Sequence, residues 1–402
     1  MTEGLRGRVN LRHLRLLCEV GRLGTLNAAA ERMSITQPSG SQAISRLEGH
    51  YGCRLLDRGR SGARPTRAGL IVLRRTDRLL AYITRMQSKI ETNRRPRRGR
   101  NLASVVTFGQ LKTLIAVSRF GGFSSAARHL AVSEPTVHRA ARDFEALIGQ
   151  RLFRSFDQGV NMTQLGSELA RLAGLTLKEL EMSFDDIDAH LGRQGGRIVI
   201  GSLPLARTDL VPTVLTQLCR SFPKATVKIA EGSYERLLDR LLRGEIDVII
   251  GALRGRTADT DICELPLLQD SLSVIARRGH PLALRGETRR ESLAEYPWVV
   301  SRVGTPTRNH FNQLFASNLP EGLIESSSLV ILRGLLLKSD RLALLSRLQI
   351  EYEEKMGLLV SLPIPLPETS RPIGVTIRRD WHPTELQSLF LDLLERQGKS
   401  AR

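Results

Sequence analysis

The stretch from 34 to 48, SITQPSGSQAISRLE, gathers Thr36, Gln37, Ser39, Ser41, Gln42, Ser45 and Arg46 around Pro38. Amides, hydroxyls and a guanidinium in one short run can bond both the edges of bases and phosphate oxygens. The next segment, CRLLDRGRSGARPTRAG, adds Arg54, Arg58, Arg60 and Arg64, cations suited to a phosphate backbone. Ninety-seven residues further on, AVSEPTVHRAARDFE repeats the pattern with Ser133, Glu134, Thr136, His138, Arg139 and Arg142, followed by Arg154. The chemistry indicated is polyanion recognition, offered twice.

The elements that must hold these groups are legible around them. Residues 14–69 slide onto 111–166 without a gap, and Leu14, Gly24, Ala29, Pro38, Glu48, Gly52, Thr66 and Gly69 meet Leu111, Gly121, Ala126, Pro135, Glu145, Gly149, Thr163 and Gly166. A period near one hundred is too long for a solenoid unit and indicates a duplicated small domain. In each copy a first helix (Leu11 to Gly21 in copy one) places Leu14, Leu17 and Val20 on one face. A glycine turn follows, with Thr25 or Ser124 expected to cap the next helix, whose paired alanines admit a close crossing. Pro38 and Pro135 then fall in the first turn of a third helix, where a missing N–H costs least. Two helices joined by a tight turn, the second led by polar residues, is how a recognition helix is offered to the DNA major groove. The arginine-bearing segment after it is expected to form a short winged turn. The competing reading makes these the polar faces of two small helical domains.

Charge favours the first reading. The 402-residue chain carries a net +19, and residues 1–100 alone hold 22 Lys and Arg against 7 Asp and Glu. Residues 101–166 contribute only +3, so the basic footprint belongs mainly to the first copy. The second copy replaces Gln37 by Glu134, Ser41 by His138 and Arg46 by Asp143, and a carboxylate there repels phosphate. Cysteines 18, 53, 219 and 263 share no metal-ligand or CxxC spacing and read as reduced thiols. No run of 18 apolar residues occurs, and no apolar segment follows the polar N-terminus. The expectation is a cytoplasmic, nucleoid-associated protein with no membrane partner, no cofactor and no metal.

From residue 196 the rhythm becomes strand and helix in alternation: RIVIGSL, TDLVPTVLTQLCRSF, ATVKIAEGS, YERLLDRLLRGE, IDVIIGAL. Near-continuous Val and Ile runs between helices predict parallel sheets covered on both faces. Such sheets bind ligands beyond the carboxyl ends of their strands, which singles out Ser202, Leu203, Gly232, Ser233 and Arg254, then Thr305, Thr307, Ser327 and Ser328. Ser233 and Ser328 are equally placed to cap helices. Helix N-termini with Arg254 and Arg308 nearby suit a small carboxylate or polyol.

LRLLCEVGRLGTLNAAAERMSITQPSGSQAISRLEGHYGCRLLDR resembles the winged helix-turn-helix of the LysR-type transcriptional regulators, and LKTLIAVSRFGGFSSAARHLAVSEPTVHRAARDFEALIGQRLFRS resembles it again. Most members carry one such domain, so the chain departs from the family by carrying two. The C-terminal half resembles the family's periplasmic-binding-protein-like effector domain, most closely that of the galactose-binding-protein regulator type on YPWVVSRVGTP and SRPIGVTIRR. The resemblance implies a mixed fold of two all-α winged helix-turn-helix domains and a two-lobed α/β effector domain. The expected divisions are 1–69, a linker helix and basic linker at 70–100, 101–166, a dimerisation helix at 167–195, and an effector domain at 196–402. Lobe I is expected at 196–264 with 365–402, and lobe II at 265–364. The implied partners are double-stranded DNA, a small-molecule effector between the lobes, a second copy of the chain in a dimer or tetramer, and RNA polymerase. An enzyme is the second hypothesis, but no GxSxG, P-loop or HExxH is present and the eight histidines are scattered. A transport-type solute-binding protein, the third, would have no use for DNA-binding modules.

Overall fold

A computed structural model of the chain describes residues 9–59, 62–92, 101–156, 159–255, 261–285, 289–315 and 319–400. Arg60 and the basic run at 93–100 lie outside the described residues, as does the side chain of Arg58.

The N-terminal half is built from α1 (Leu11–Leu23), α2 (Leu26–Arg32) and α3 (Gln37–Tyr51), a hairpin of β1 (Leu56–Gly59) and β2 (Gly62–Pro65), and the long α4 (Arg67–Thr92). The pattern returns as α5 (Phe108–Phe120), α6 (Phe123–Leu130), α7 (Glu134–Ile148), a hairpin of β3 (Phe153–Phe156) and β4 (Gly159–Met162), and the long α8 (Gln164–His190). Each unit therefore carries a two-stranded hairpin and is not all-α as expected. Thr66 and Thr163 receive the Gly69 and Gly166 N–H groups at 2.9 and 3.0 Å, which starts the long helices at Arg67 and Gln164.

The repeated residue types are those with a repeated structural duty. Gly24 and Gly121 end α1 and α5 at φ 74° and 68°, a left-handed cap that favours glycine. Glu48 accepts the N–H groups of Leu55 and Leu56 at 2.8 and 3.2 Å, and Glu145 those of Leu152 and Phe153 at 2.7 and 3.2 Å. A Cβ on Gly69 would sit 2.1 Å from the Leu55 carbonyl oxygen, and one on Gly166 2.5 Å from that of Leu152. One expectation fails. Thr25 caps α2 through Ala28 N at 3.2 Å, but α6 starts from Gly122 with no side-chain cap, and Ser124 lies inside the helix. The gap-free offset pairs Thr25 with Gly122, so the second copy has lost the capping hydroxyl.

A single apolar cluster runs from Val9 to Ile187 through both units and both long helices. Of the linker helix and basic linker expected at 70–100, the helix contributes to the core: α4 buries Val72, Leu79, Ile83, Met86 and Ile90, a spacing of three, four and seven along one face. Helix α8, expected to pair two protomers, packs on α4 of its own chain and is buried on several sides, Leu169, Leu172, Leu175, Thr176, Glu179 and Ile187 among its inward residues.

The C-terminal half follows with β5 (Arg197–Ser202), α9 (Leu210–Ser221), β6 (Thr226–Ala230), α10 (Tyr234–Leu242), β7 (Val248–Ala252) and β8 (Ile262–Asp270). The chain then crosses into β9 (Leu272–Arg277), β10 (Trp298–Val300), α11 (Pro306–Leu314), β11 (Ile324–Glu325), α12 (Leu329–Lys338), β12 (Leu342–Ser346) and β13 (Leu359–Ser361). It returns through β14 (Arg371–Arg378) to α13 (Glu385–Ser400). The sheets are ordered β6-β5-β7-β14-β8 and β11-β10-β12-β9-β13. They are mixed where all-parallel sheets were expected. Strands β5, β6 and β7 run parallel, whereas β14 returns from the other lobe against β7 and β8. The expected lobe boundary at 264/265 falls in the middle of β8, whose pairing with β14 continues to Asp270 opposite Arg371, so the crossings lie at Ser271 and before Arg371. No described helix is long and apolar enough to cross a membrane.

Candidate DNA-reading face and effector cleft

The polar stretch lies on α3 as its spacing requires. Ala43, Ile44, Leu47 and Tyr51 enter the core, while Gln37, Pro38, Ser39, Gln42, Ser45 and Arg46 are exposed on the opposite side and Ser41 is half-buried. Thr36 is engaged at the N-terminus, where its hydroxyl accepts from Ser39 N at 3.4 Å and pairs with Ser39 Oγ at 2.8 Å. Arg54 and Arg64 are exposed at the hairpin. His13, which composition alone did not single out, sits within electrostatic reach of Arg46 and His50; burial first, then those cations, hold its pKa below the ordinary value.

On α7, Ser133, Glu134, Thr136, Arg139 and Arg142 are exposed, as is Arg154 on β3. Several of these groups already have partners. Ser133 Oγ pairs with Thr136 Oγ1 at 2.8 Å, and Arg142 donates to Glu145 at 2.9 Å. The His138 ring lies 4.0 Å from that of Phe123, centroid to centroid, and 3.9 Å from Glu134. The second face therefore offers less positive charge than the first.

In the C-terminal half, the residues named from strand ends divide into two groups. Ser202 and Leu203 are buried, Leu203 in the lobe I core where its N–H bonds the Ile250 carbonyl. Ser233, Thr305 and Ser328 cap α10, α11 and α12 by accepting from Arg236, Arg308 and Ile331 N. Arg254 stacks over the Tyr234 ring at 4.8 Å, and Gly232 and Ser327 are exposed. Thr307 belongs to a cluster that sequence reasoning missed. Arg371 donates to Thr307 Oγ1 at 3.1 Å and to Asp270 at 3.3 Å, and Ser346 donates to the other Asp270 oxygen at 2.5 Å. Asp270 and Arg371 sit on the crossing strands, and Thr307 and Ser346 on lobe II, so one network ties the lobes at their junction. Burial raises the Asp270 carboxyl against those hydrogen bonds, and burial likewise lowers Arg371. The signal in the sequence was a lone Asp and Arg a hundred residues apart, which no local spacing links.

Lobe I is clamped to the helices beneath it. Lys178 Nζ is 2.9 Å from Asp247, both buried, and Arg75 donates to the His382 carbonyl at 2.9 Å. A cavity of about 830 Å³ opens at that junction, lined by Cys18, Arg22, Arg74, Arg75, Arg78 and His382.

A basic helix-turn-helix region joined to a two-lobed α/β domain defines a ligand-responsive DNA-binding regulator rather than an enzyme. The bacterial regulatory helix-turn-helix model of the lysR family matches residues 11–70 and 108–167, and the LysR substrate binding domain model matches 191–399. The HTH-type transcriptional regulator GalR of Pseudomonas putida is 31% identical, over 92% of this chain and 92% of that protein. PcaQ of Agrobacterium fabrum is 27% identical over 94% of its own length but only 72% of this chain. A full-length OxyR variant from Pseudomonas aeruginosa superposes with a TM-score of 0.55 at 20% identity, covering 73% of this chain and 95% of that one. The chain belongs to the LysR family of transcriptional regulators.

Proposed function

We propose that both N-terminal units are winged helix-turn-helix domains that contact double-stranded DNA, with α3 and α7 as recognition helices and the two hairpins as wings. The observation that carries this reading is the exposed polar face of α3 beside Arg46, Arg54 and Arg64. Gln37, Ser39, Ser41, Gln42 and Ser45 would meet base edges, and Thr36 with the arginines phosphates; in the second unit Arg139, Arg142 and Arg154 take the phosphates. The effector is a small carboxylate or polyol held between the lobes, near Thr307 and the helix ends capped by Thr305 and Ser328. Closure around it would strain or relieve the Asp270–Ser346–Arg371–Thr307 network, and Lys178–Asp247 would carry the shift into α8. Contact with RNA polymerase follows from the regulator role alone.

The test is binding of the full chain to duplexes flanking its own coding region at several salt concentrations. The expected affinity falls steeply as salt rises, because phosphate contacts release counterions; a slope near zero rejects the DNA-contact assignment. Melting of the protein against a panel of aldoses, polyols and small carboxylates tests the cleft, with a Thr307→Val variant expected to lose the shift that the parent shows.

A further inference from the structure

The two long helices that follow the DNA-reading units lie against each other within one chain. Arg75 early in α4 pairs with Glu179 late in α8 at 3.0 Å, and Lys89 late in α4 pairs with Glu168 early in α8 at 3.1 Å, so the helices are antiparallel. Arg78 with Glu179, Lys89 with Glu168 and Arg75 with the Met182 sulfur have numbers that add to 257, and the ion pairs of Arg75 with Glu179 and Asp186 fall about one helical turn to either side of that register. Because the sequence repeat has an offset of 97, this register exchanges α4 and α8 with each other, about a local twofold axis near Leu80 and Leu177.

The reciprocal contacts of the units agree with that axis. Tyr51, at the end of α3, packs on α8, where its ring stacks on Phe184 at 4.4 Å. Gln150, just past the end of α7, donates to the Ile90 carbonyl on α4 at 2.8 Å. Each unit packs on its own trailing helix and also touches the other's, and all of it shares one apolar core.

The antiparallel register also sets a distance. Arg67 would lie opposite His190, so the points where the two units join their helices, Arg67 and Gln164, are 26 residues apart along the pair. At about 1.5 Å per residue this is roughly 39 Å, close to one turn of B-DNA. Yet the two exposed faces differ: Arg46 in one stands where Asp143 is in the other, and Gln37 where Glu134 is.

We propose that one chain is by itself a complete two-headed DNA reader, engaging two different half-sites about one helical turn apart. The inference rests on the DNA-contact reading above and adds to it that the pair of heads is built within the chain and not between two chains. A twofold-related pair of unlike heads has no reason to select a perfect palindrome, so the operator is an asymmetric pair.

Two measurements decide it. Duplexes are selected from a random-sequence pool by the full chain, footprinted, and the chains bound are counted by native mass spectrometry. Two unlike protected segments per bound chain are expected. One segment per chain overturns the inference while leaving DNA contact intact; failure to select any duplex overturns the DNA-contact reading itself. In a background where Cys53, Cys219 and Cys263 are each replaced by Ser, Lys89→Cys and Glu168→Cys placed in the same chain should be joined by a short bis-maleimide into a product of one chain's mass at every dilution. The two single variants mixed together should give no joined pair, and a two-chain product from that mixture would show that the helices pair between chains and refute the proposal.

Discussion

Arg75 Nε donates to the Asp186 carboxylate at 2.7 Å while its Nη1 reaches Glu179 at 3.0 Å and the His382 carbonyl at 2.9 Å. One buried guanidinium thereby joins the helix after the first N-terminal unit, the helix after the second, and the C-terminal half. Its pKa is raised: burial, the largest influence, works downward, and the hydrogen bond and charge of Asp186 and Glu179 outweigh it. A planar fork with several donors suits such a three-way junction where a lysine would not.

Removing that side chain leaves Glu179 largely buried, with Arg78 as its remaining cation. Arg75→Ala should cost about 3–5 kcal/mol in urea unfolding, the usual penalty for breaking a buried pair from one side. Arg75→Met with Glu179→Leu should recover most of it. If the double substitution is as unstable as the single one, the loss comes from packing rather than from stranded charge.

The unequal heads should show unequal energetics. Arg46→Ala with Arg54→Ala removes two exposed cations and should weaken DNA binding more than Arg139→Ala with Arg142→Ala, since Arg142 is already paired with Glu145. The first pair should also flatten the salt dependence, by about one unit of slope for each phosphate no longer neutralised. The reverse ranking would assign the main affinity to the second unit.

Two glycines on or beside the same head should respond oppositely to alanine. At Gly69 the new methyl meets a backbone carbonyl, which no rotamer change relieves, so Gly69→Ala should destabilise by about 3 kcal/mol, the upper end for an overpacked site. At Gly49, exposed on α3 with nothing within 4 Å of a Cβ, alanine should stabilise by about 0.5–1 kcal/mol. Thermal melting of both variants measures this directly, and equal effects would show that the Leu55 carbonyl yields to the new methyl at no cost.

The helices of both units were legible because their signals are local: apolar spacing on α1 and α4, glycine at a left-handed cap, proline in a first turn. The polar face of α3 was legible for the same reason. What stayed hidden depends on distant residues meeting. Strands β8 and β13 escaped notice since ICELPLLQD holds a proline and two acids, and LVS is too short to carry a period. The pairing of α4 with α8 was invisible because an apolar stripe does not say whether its partner lies in the same chain. The junction of Asp270, Ser346, Arg371 and Thr307 has no sequence spacing at all.

His280 is buried at the start of a short helix, its Nδ1 accepting from Leu282 N at 3.1 Å and its Nε2 3.2 Å from the Asp340 carbonyl. Protonation of Nδ1 would remove the cap. Burial, together with Arg277, lowers its pKa and outweighs the opposing pull of Asp340. The folded state therefore binds this proton less readily than the unfolded chain does, whose imidazole titrates near about 6.5. It follows that the stabilising contribution is present above about pH 6.5 and is lost as pH falls below it. His280→Asn keeps a capping side chain but cannot titrate. Melting temperature measured from about pH 7.5 down to about 5.5 should fall further for the parent than for the variant, and parallel curves would mean that His280 plays no part in the acid sensitivity.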